Sequence, residues 1–202
     1  MKAPALLATL ATVALLATGC GSTTTHQAGP AGHHATPGQS GQSGMAGMPG
    51  MSAADMKAGR APSKTASMVC GAEIRGAVKR TFALSHAPSS THTWSHRLFT
   101  CTYALPGGPL RLSVKDLTDR KAGRAHFDGL RSSLAGARRI AGMASLGFPS
   151  FETASGNVVF LKDGKTLRVD ATRVSRSALP AHFSRQEAAY GVAAAVIACW
   201  TE

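Results

Sequence analysis

The segment from Ser184 to Trp200 constrains this chain most. Ser184 and Glu187 stand three residues apart at the head of an apolar run, the spacing of a capping box. The serine hydroxyl takes the N3 backbone amide, and the glutamate returns to the serine amide. The helix so opened carries Tyr190, Val192, Val196, Ile197 and Trp200, with small residues between them. A helix apolar all round has no side to give to water. It is also too short to cross a hydrocarbon layer, which takes about 20 apolar residues. Burial at the centre of a domain, packed on a sheet, is the remaining solution.

The strands for that sheet are legible upstream. Ile74, Ala77, Val78 and Phe82 recur at helical spacing within residues 70–84 and predict a first helix. Pro88-Ser89-Ser90 breaks it. Residues 93–105 then alternate, with Phe99, Cys101 and Tyr103 on one side and Leu98, Thr100 and Thr102 on the other. Pro106-Gly107-Gly108-Pro109 turns the chain into Leu110, Leu112 and Val114, which alternate with Arg111, Ser113 and Lys115. This is a first hairpin. Thr118 or Asp119 caps a second helix running to about Gly136, with Phe127, Leu130 and Leu134 inside and an Arg124–Asp128 pair in water. Residues 138–156 are punctuated by Gly142, Gly147 and Pro149 and read as irregular. Segments 158–161 and 167–171 flank Asp163-Gly164, the preferred pair for a two-residue hairpin turn. The expected fold class is therefore α+β. Two antiparallel β-hairpins form a sheet packed with three helices, in the order α-ββ-α-ββ-α, over residues 67–202.

The beginning of the chain follows other rules. Lys2 precedes a charge-free Ala/Leu-rich run, Ala3 to Ala17, which small residues close before Cys20. Positive n-region, short h-region and small-residue cleavage site are the parts of an export signal. Leu16-Ala17-Thr18-Gly19-Cys20 resembles the lipobox of bacterial lipoproteins, with Ala17 where a bulkier residue is usual. The Ala, Gly and Arg richness gives the chain an actinobacterial cast. The resemblance implies cleavage after residue 19 and lipidation of Cys20 by diacylglyceryl, with further acylation (palmitate, for example) of the new terminus. A chain carrying two or more acyl groups is held stably on a membrane without a spanning helix. The expected location is the extracytoplasmic face of the cell membrane.

Residues 20–66 are rich in Gly, Ser, Thr, Pro and Gln and show no hydrophobic period. Such composition cannot offset its ordering entropy, so a disordered tether is expected. Within it stand His26, His33 and His34, then Met45, Met48, Met51 and Met56, four methionines in twelve residues. Thioethers are soft ligands suited to Cu(I), and imidazole suits copper and zinc. Stretches of this kind resemble those of extracytoplasmic copper-handling proteins. The resemblance implies a copper site at His33, His34, Met45, Met48, Met51 and Met56, against ordinary drift in a low-complexity linker.

Twenty-two Lys and Arg against ten Asp and Glu leave a formal charge of +12, spread from Lys57 onward. Beside a membrane, that charge favours anionic lipid or cell-wall polymer, or an unidentified protein or small molecule. Motifs for nucleic acid are absent. With Cys20 assigned to lipid, Cys70, Cys101 and Cys199 remain, which one disulfide and one thiol would accommodate. The order of elements resembles small extracytoplasmic domains of actinobacterial lipoproteins and of some receptor-kinase sensors. In those, a cysteine near the first helix and another in a Cys-x-Tyr setting of the first strand are common. Cys70 and Cys101-Thr102-Tyr103 match. Geometry agrees: a helix of about 14 residues rises about 21 Å, which a returning strand regains in about six or seven residues, near Phe99 to Cys101. The expected disulfide is Cys70–Cys101. Cys199, in the apolar final helix, is expected to stay reduced.

The sequence holds no Gly-x-Ser-x-Gly, His-Glu-x-x-His or phosphate-binding loop. His86, His92 and His96 cluster without further ligands, and His126 and His182 stand alone. The candidate contact surface is the aromatic loop Phe148 to Phe151 with Arg138 and Arg139 as a basic rim, although plugging the core is the commoner fate of such aromatics. The expectation is a membrane-anchored binding or interaction module, not an enzyme, with copper binding through the tether as the alternative.

Overall fold

The capped apolar helix forms as the sequence predicts. In the computed structural model, which describes residues 61–200, it spans Arg185–Cys199. The Ser184 hydroxyl accepts from the Glu187 amide at 3.1 Å, and Glu187 accepts from the Ser184 amide at 2.7 Å. Ala188, Ala189, Val192, Ala193, Val196 and Trp200 are buried. At its far end the Lys162 ammonium donates to the Trp200 carbonyl, a cation at the negative pole of the helix.

The other elements, in chain order, are α1 (Lys64–Ser67), a 3-10 turn (Met68–Cys70), α2 (Ala72–Thr81), β1 (Ser90–Ser95), β2 (Leu98–Leu105) and β3 (Gly108–Lys115). They continue through α3 (Arg120–Ser133), β4 (Arg138–Arg139), a 3-10 turn (Gly142–Ser145), β5 (Ser150–Thr153), β6 (Asn157–Lys162), β7 (Lys165–Asp170) and a last 3-10 turn (Arg176–Ala178). The helix Arg185–Cys199 is α4. The class is α+β. The sheet has seven antiparallel strands in the order β1-β2-β3-β7-β6-β5-β4. Two meanders meet where β3 pairs with β7, Leu112 opposite Val169 and Val114 opposite Leu167.

This corrects the expected pair of hairpins and three helices in particular places. Segment 93–105 is not one strand but two, because the chain reverses at His96-Arg97, both at positive φ (49° and 57°). A I′ turn needs that geometry at both central residues, and Asn-Gly is its usual signal. Here distant contacts hold it instead. The Lys115 ammonium donates to the His96 carbonyl at 2.6 Å, and the Asp116 amide donates to the Arg97 carbonyl at 2.8 Å. Residues 138–156 are not irregular throughout, since β4 and β5 extend the sheet there. Folded chain also begins before residue 67. Ser63 caps α1, and its amide donates to the buried carboxylate of Asp116 at 2.7 Å.

One sheet face holds the main core. Phe99, Cys101, Tyr103, Leu110, Leu112, Val114, Val158, Phe160, Leu167 and Val169 share it with α2 and α4. The Cys70–Cys101 disulfide joins the first 3-10 turn to β2, with Cα atoms 5.5 Å apart. The Tyr103 hydroxyl donates to the Val69 carbonyl at 2.7 Å. On the second face α3 covers β5 to β7. Phe127, Phe151 and Val159 form a smaller cluster there. Close approach depends on Gly123, where a Cβ would strike the backbone of Gly164 in the β6–β7 turn. Asp163 and Gly164 make that turn at φ 50° and 77°, as Asp-Gly predicts. Among the described residues no helix is long and apolar enough to cross a membrane.

Candidate functional site

Helical spacing puts Arg124, Phe127 and Arg131 along one side of α3, at i, i+3 and i+7. Phe127 turns inward against Phe151, ring centroids 5.2 Å apart, and thereby fixes how α3 sits on the sheet. The two arginines flank it. Across from them, Arg139 projects from β4, and residues 145–150 close the wall with Phe148 and Pro149. The result is a cavity of about 360 Å³ whose lining includes three arginines, two serines and no carboxylate. That volume lies within the range of small-molecule sites, about 300–1,000 Å³.

The arginines are held differently. Arg124 donates from Nε to Asp128 at 2.8 Å and its guanidinium lies 5.9 Å from the Phe127 ring centre. Both partners of that ion pair are half-exposed, so water screens it. Phe148 is half-buried, packs on the main core, and carries the Lys162 ammonium 5.2 Å from its ring centre. A second cavity of about 600 Å³ lies beyond β4, among Ile140, Ala144, Phe183 and Tyr190, with Arg139 shared between the two. The 3-10 turn 142–145 and the residues after it separate them. Its tip carries Met143, 96% exposed, and Leu146, 40% exposed. The Tyr190 hydroxyl donates to the Ala144 carbonyl at 2.9 Å and pins the turn to α4.

The residues of the sequence-predicted contact surface fall in different places. Phe148 and Arg139 line the first cavity. Arg138 is exposed, but neighbouring strand residues point to opposite faces, and it faces Glu152 at 3.8 Å. Phe151 is fully buried in the smaller core and cannot meet a ligand. Arg124 and Arg131 were legible only as water-facing residues of a helix. Their heptad spacing about Phe127 was the available signal, and β4, which turns Arg139 toward them, had none.

Other predicted positions fall elsewhere. Cys20, His26, His33, His34, Met45, Met48, Met51 and Met56 lie outside the described residues. Cys199, expected as a reduced thiol, lies in the last turn of α4. It is only half-buried, so the apolar surroundings invoked for a protected thiol are incomplete. His92 stacks on Phe99 at 5.5 Å between ring centres, and His96 sits in the β1–β2 turn. Among the described residues, no three His, Cys, Asp or Glu side chains gather as metal ligands would. Burial, and then the Lys115 charge, hold the His126 imidazole below its ordinary pKa. Compared with known proteins, the chain matches no family model, no curated protein and no solved structure.

Proposed function

We propose that the protein is a lipid-anchored extracytoplasmic module that binds an anionic ligand and performs no catalysis. The lipobox-like Leu16 to Cys20 segment supports the location. The observation that carries the binding role is the cavity between α3, β4 and the 145–150 segment. Arg124, Arg131 and Arg139 converge there, and no acidic side chain is in the lining; Arg124 pairs with Asp128, which stands outside it, both half-exposed. Guanidinium pairs bidentately with phosphate and carboxylate, and the apolar floor of Phe127 and Phe148 lowers the local dielectric. Titration calorimetry with inorganic pyrophosphate tests this. The double variant Arg131→Gln/Arg139→Gln should lose at least about tenfold in affinity, since a charged hydrogen bond contributes about 1.5–3 kcal/mol. Arg138→Gln should bind as the native chain does. Equal affinity of the double variant and the native chain would remove the anion site.

The anchor has its own test. Labelled fatty acid should enter the native chain and not Cys20→Ala. Incorporation into Cys20→Ala would refute the lipid anchor.

A second reading rests on the spacing of Met45, Met48, Met51 and Met56. Extracytoplasmic copper binding or buffering would use these thioethers with His33 and His34. Thioethers do not titrate near neutrality, whereas imidazole protonates near pH 6.5. In anaerobic Cu(I) titration at pH 5, the change of Met45, Met48 and Met51 to Leu should therefore abolish most binding. Wild-type affinity in that variant would dismiss copper.

A further inference from the structure

We infer that the turn from Gly142 to Gly147 is a docking wedge for an anionic lipid bilayer, with Met143 and Leu146 entering the acyl layer and the arginine cavity holding lipid phosphate. The inference rests on the reading of that cavity as an anion site, and it names the source of the anion.

Met143 is the most exposed large apolar side chain among the described residues. Leu146 stands beside it at φ 53°, a left-handed conformation that costs a bulky residue free energy, and the fold does not offset that cost by burying it. The segment is nonetheless held in place. Leu146 donates its amide to the Met143 carbonyl at 3.0 Å, and Phe148 to Ser145 at 2.9 Å. The Ser145 hydroxyl reaches the Gly142 carbonyl at 2.8 Å, and Tyr190 holds Ala144. A wedge already ordered in its outward shape loses little freedom when it inserts.

Charge selects the partner. The arginine cavity adjoins this apolar tip on one side, and the half-exposed Phe183 stands beyond it on the other. A bilayer presents an anionic layer directly above an apolar one, and the protein offers guanidinium beside thioether and isobutyl in the same arrangement. A soluble polyanion or a wall polymer would use the arginines and leave Met143 and Leu146 in water. The formal charge of +12 adds long-range attraction toward such a surface.

The test uses the full chain carrying Cys20→Ala, so that no acyl group contributes. Its binding to vesicles of phosphatidylcholine alone is compared with binding to vesicles containing an equal part of phosphatidylglycerol. Preference for the anionic vesicles by about tenfold or more is expected. Met143→Gln/Leu146→Gln, added to this chain, should lose about tenfold on vesicles, as expected for withdrawn apolar burial, while its pyrophosphate affinity stays unchanged. Arg131→Gln/Arg139→Gln should lose both. Full vesicle binding by the Met143/Leu146 variant overturns the wedge and leaves the anion cavity standing, and equal binding to both vesicle types does the same. Loss of pyrophosphate binding in the Met143/Leu146 variant would show that the turn merely shapes the cavity, and would also overturn the wedge.

Discussion

Tyr103 joins covalent, polar and apolar parts of the core at one side chain. It sits two residues from the disulfide, is fully buried, and donates its hydroxyl to Val69 at 2.7 Å. Burial pushes its pKa up to about 12 from the ordinary 10, against a smaller opposing pull from Arg75. A folded pKa above the unfolded one means that the stability is fully present below pH 10. It is lost as pH rises from about 10 to about 12, because the unfolded chain ionises first. Urea unfolding between pH 8 and 12 should show a loss on the order of 2–3 kcal/mol from this group. Tyr103→Phe should cost about 1–2 kcal/mol at pH 8, having orphaned the Val69 carbonyl, and should flatten the alkaline slope. An unchanged slope in Tyr103→Phe would assign the alkaline loss to other groups.

Among the elements, α3 owes its position to Gly123, and through it the cavity wall owes its own. Gly123→Ala would press a methyl group against the Gly164 backbone and lever the helix outward. We expect a destabilisation of about 1–3 kcal/mol by thermal or urea unfolding, with weakened pyrophosphate binding, because Arg124 and Arg131 move with the helix. Ser184→Ala should cost about 1 kcal/mol through the lost cap of α4. In the native chain the Ser184 backbone and side-chain hydrogen bonds hold Glu187 below the usual carboxylate range, so the capping box weakens as pH falls through that depressed pKa. These elements also show what a sequence can reveal. The capping box and the Asp163-Gly164 turn carry their own local chemistry and were readable. The His96-Arg97 reversal was not, because Lys115 at the end of β3 and Asp116 just after it maintain it. The cavity was half readable for the same reason. Phe148 and Arg139 announced themselves as an aromatic loop and a basic pair. Their meeting with Arg124 and Arg131 depends on how α3 docks, which no local pattern encodes.

For the whole molecule, the Cys70–Cys101 bond closes a span of 31 residues around α2 and β1. Replacing both cysteines by alanine should lower stability by about 3–4 kcal/mol in the chain-entropy account. Urea unfolding of the double variant measures it, and a loss below about 1 kcal/mol would mean that the noncovalent core already fixes this span. The same bond also decides how the domain bears a load. A pull on the chain from the N-terminal side first breaks the Ser63–Asp116 contact and can then peel α1 and the 3-10 turn. At Cys70 the peeling stops. Tension leaves the main chain, bypasses α2 and β1, and passes through sulfur into β2, between β1 and β3 in the sheet. In an oxidising medium, only the few residues from Ala61 to Val69 can then pay out before the ladder itself is loaded. Under a reductant, α2 and the loop into β1 would unravel first, so a single-molecule extension trace should lengthen by that segment before the sheet gives way.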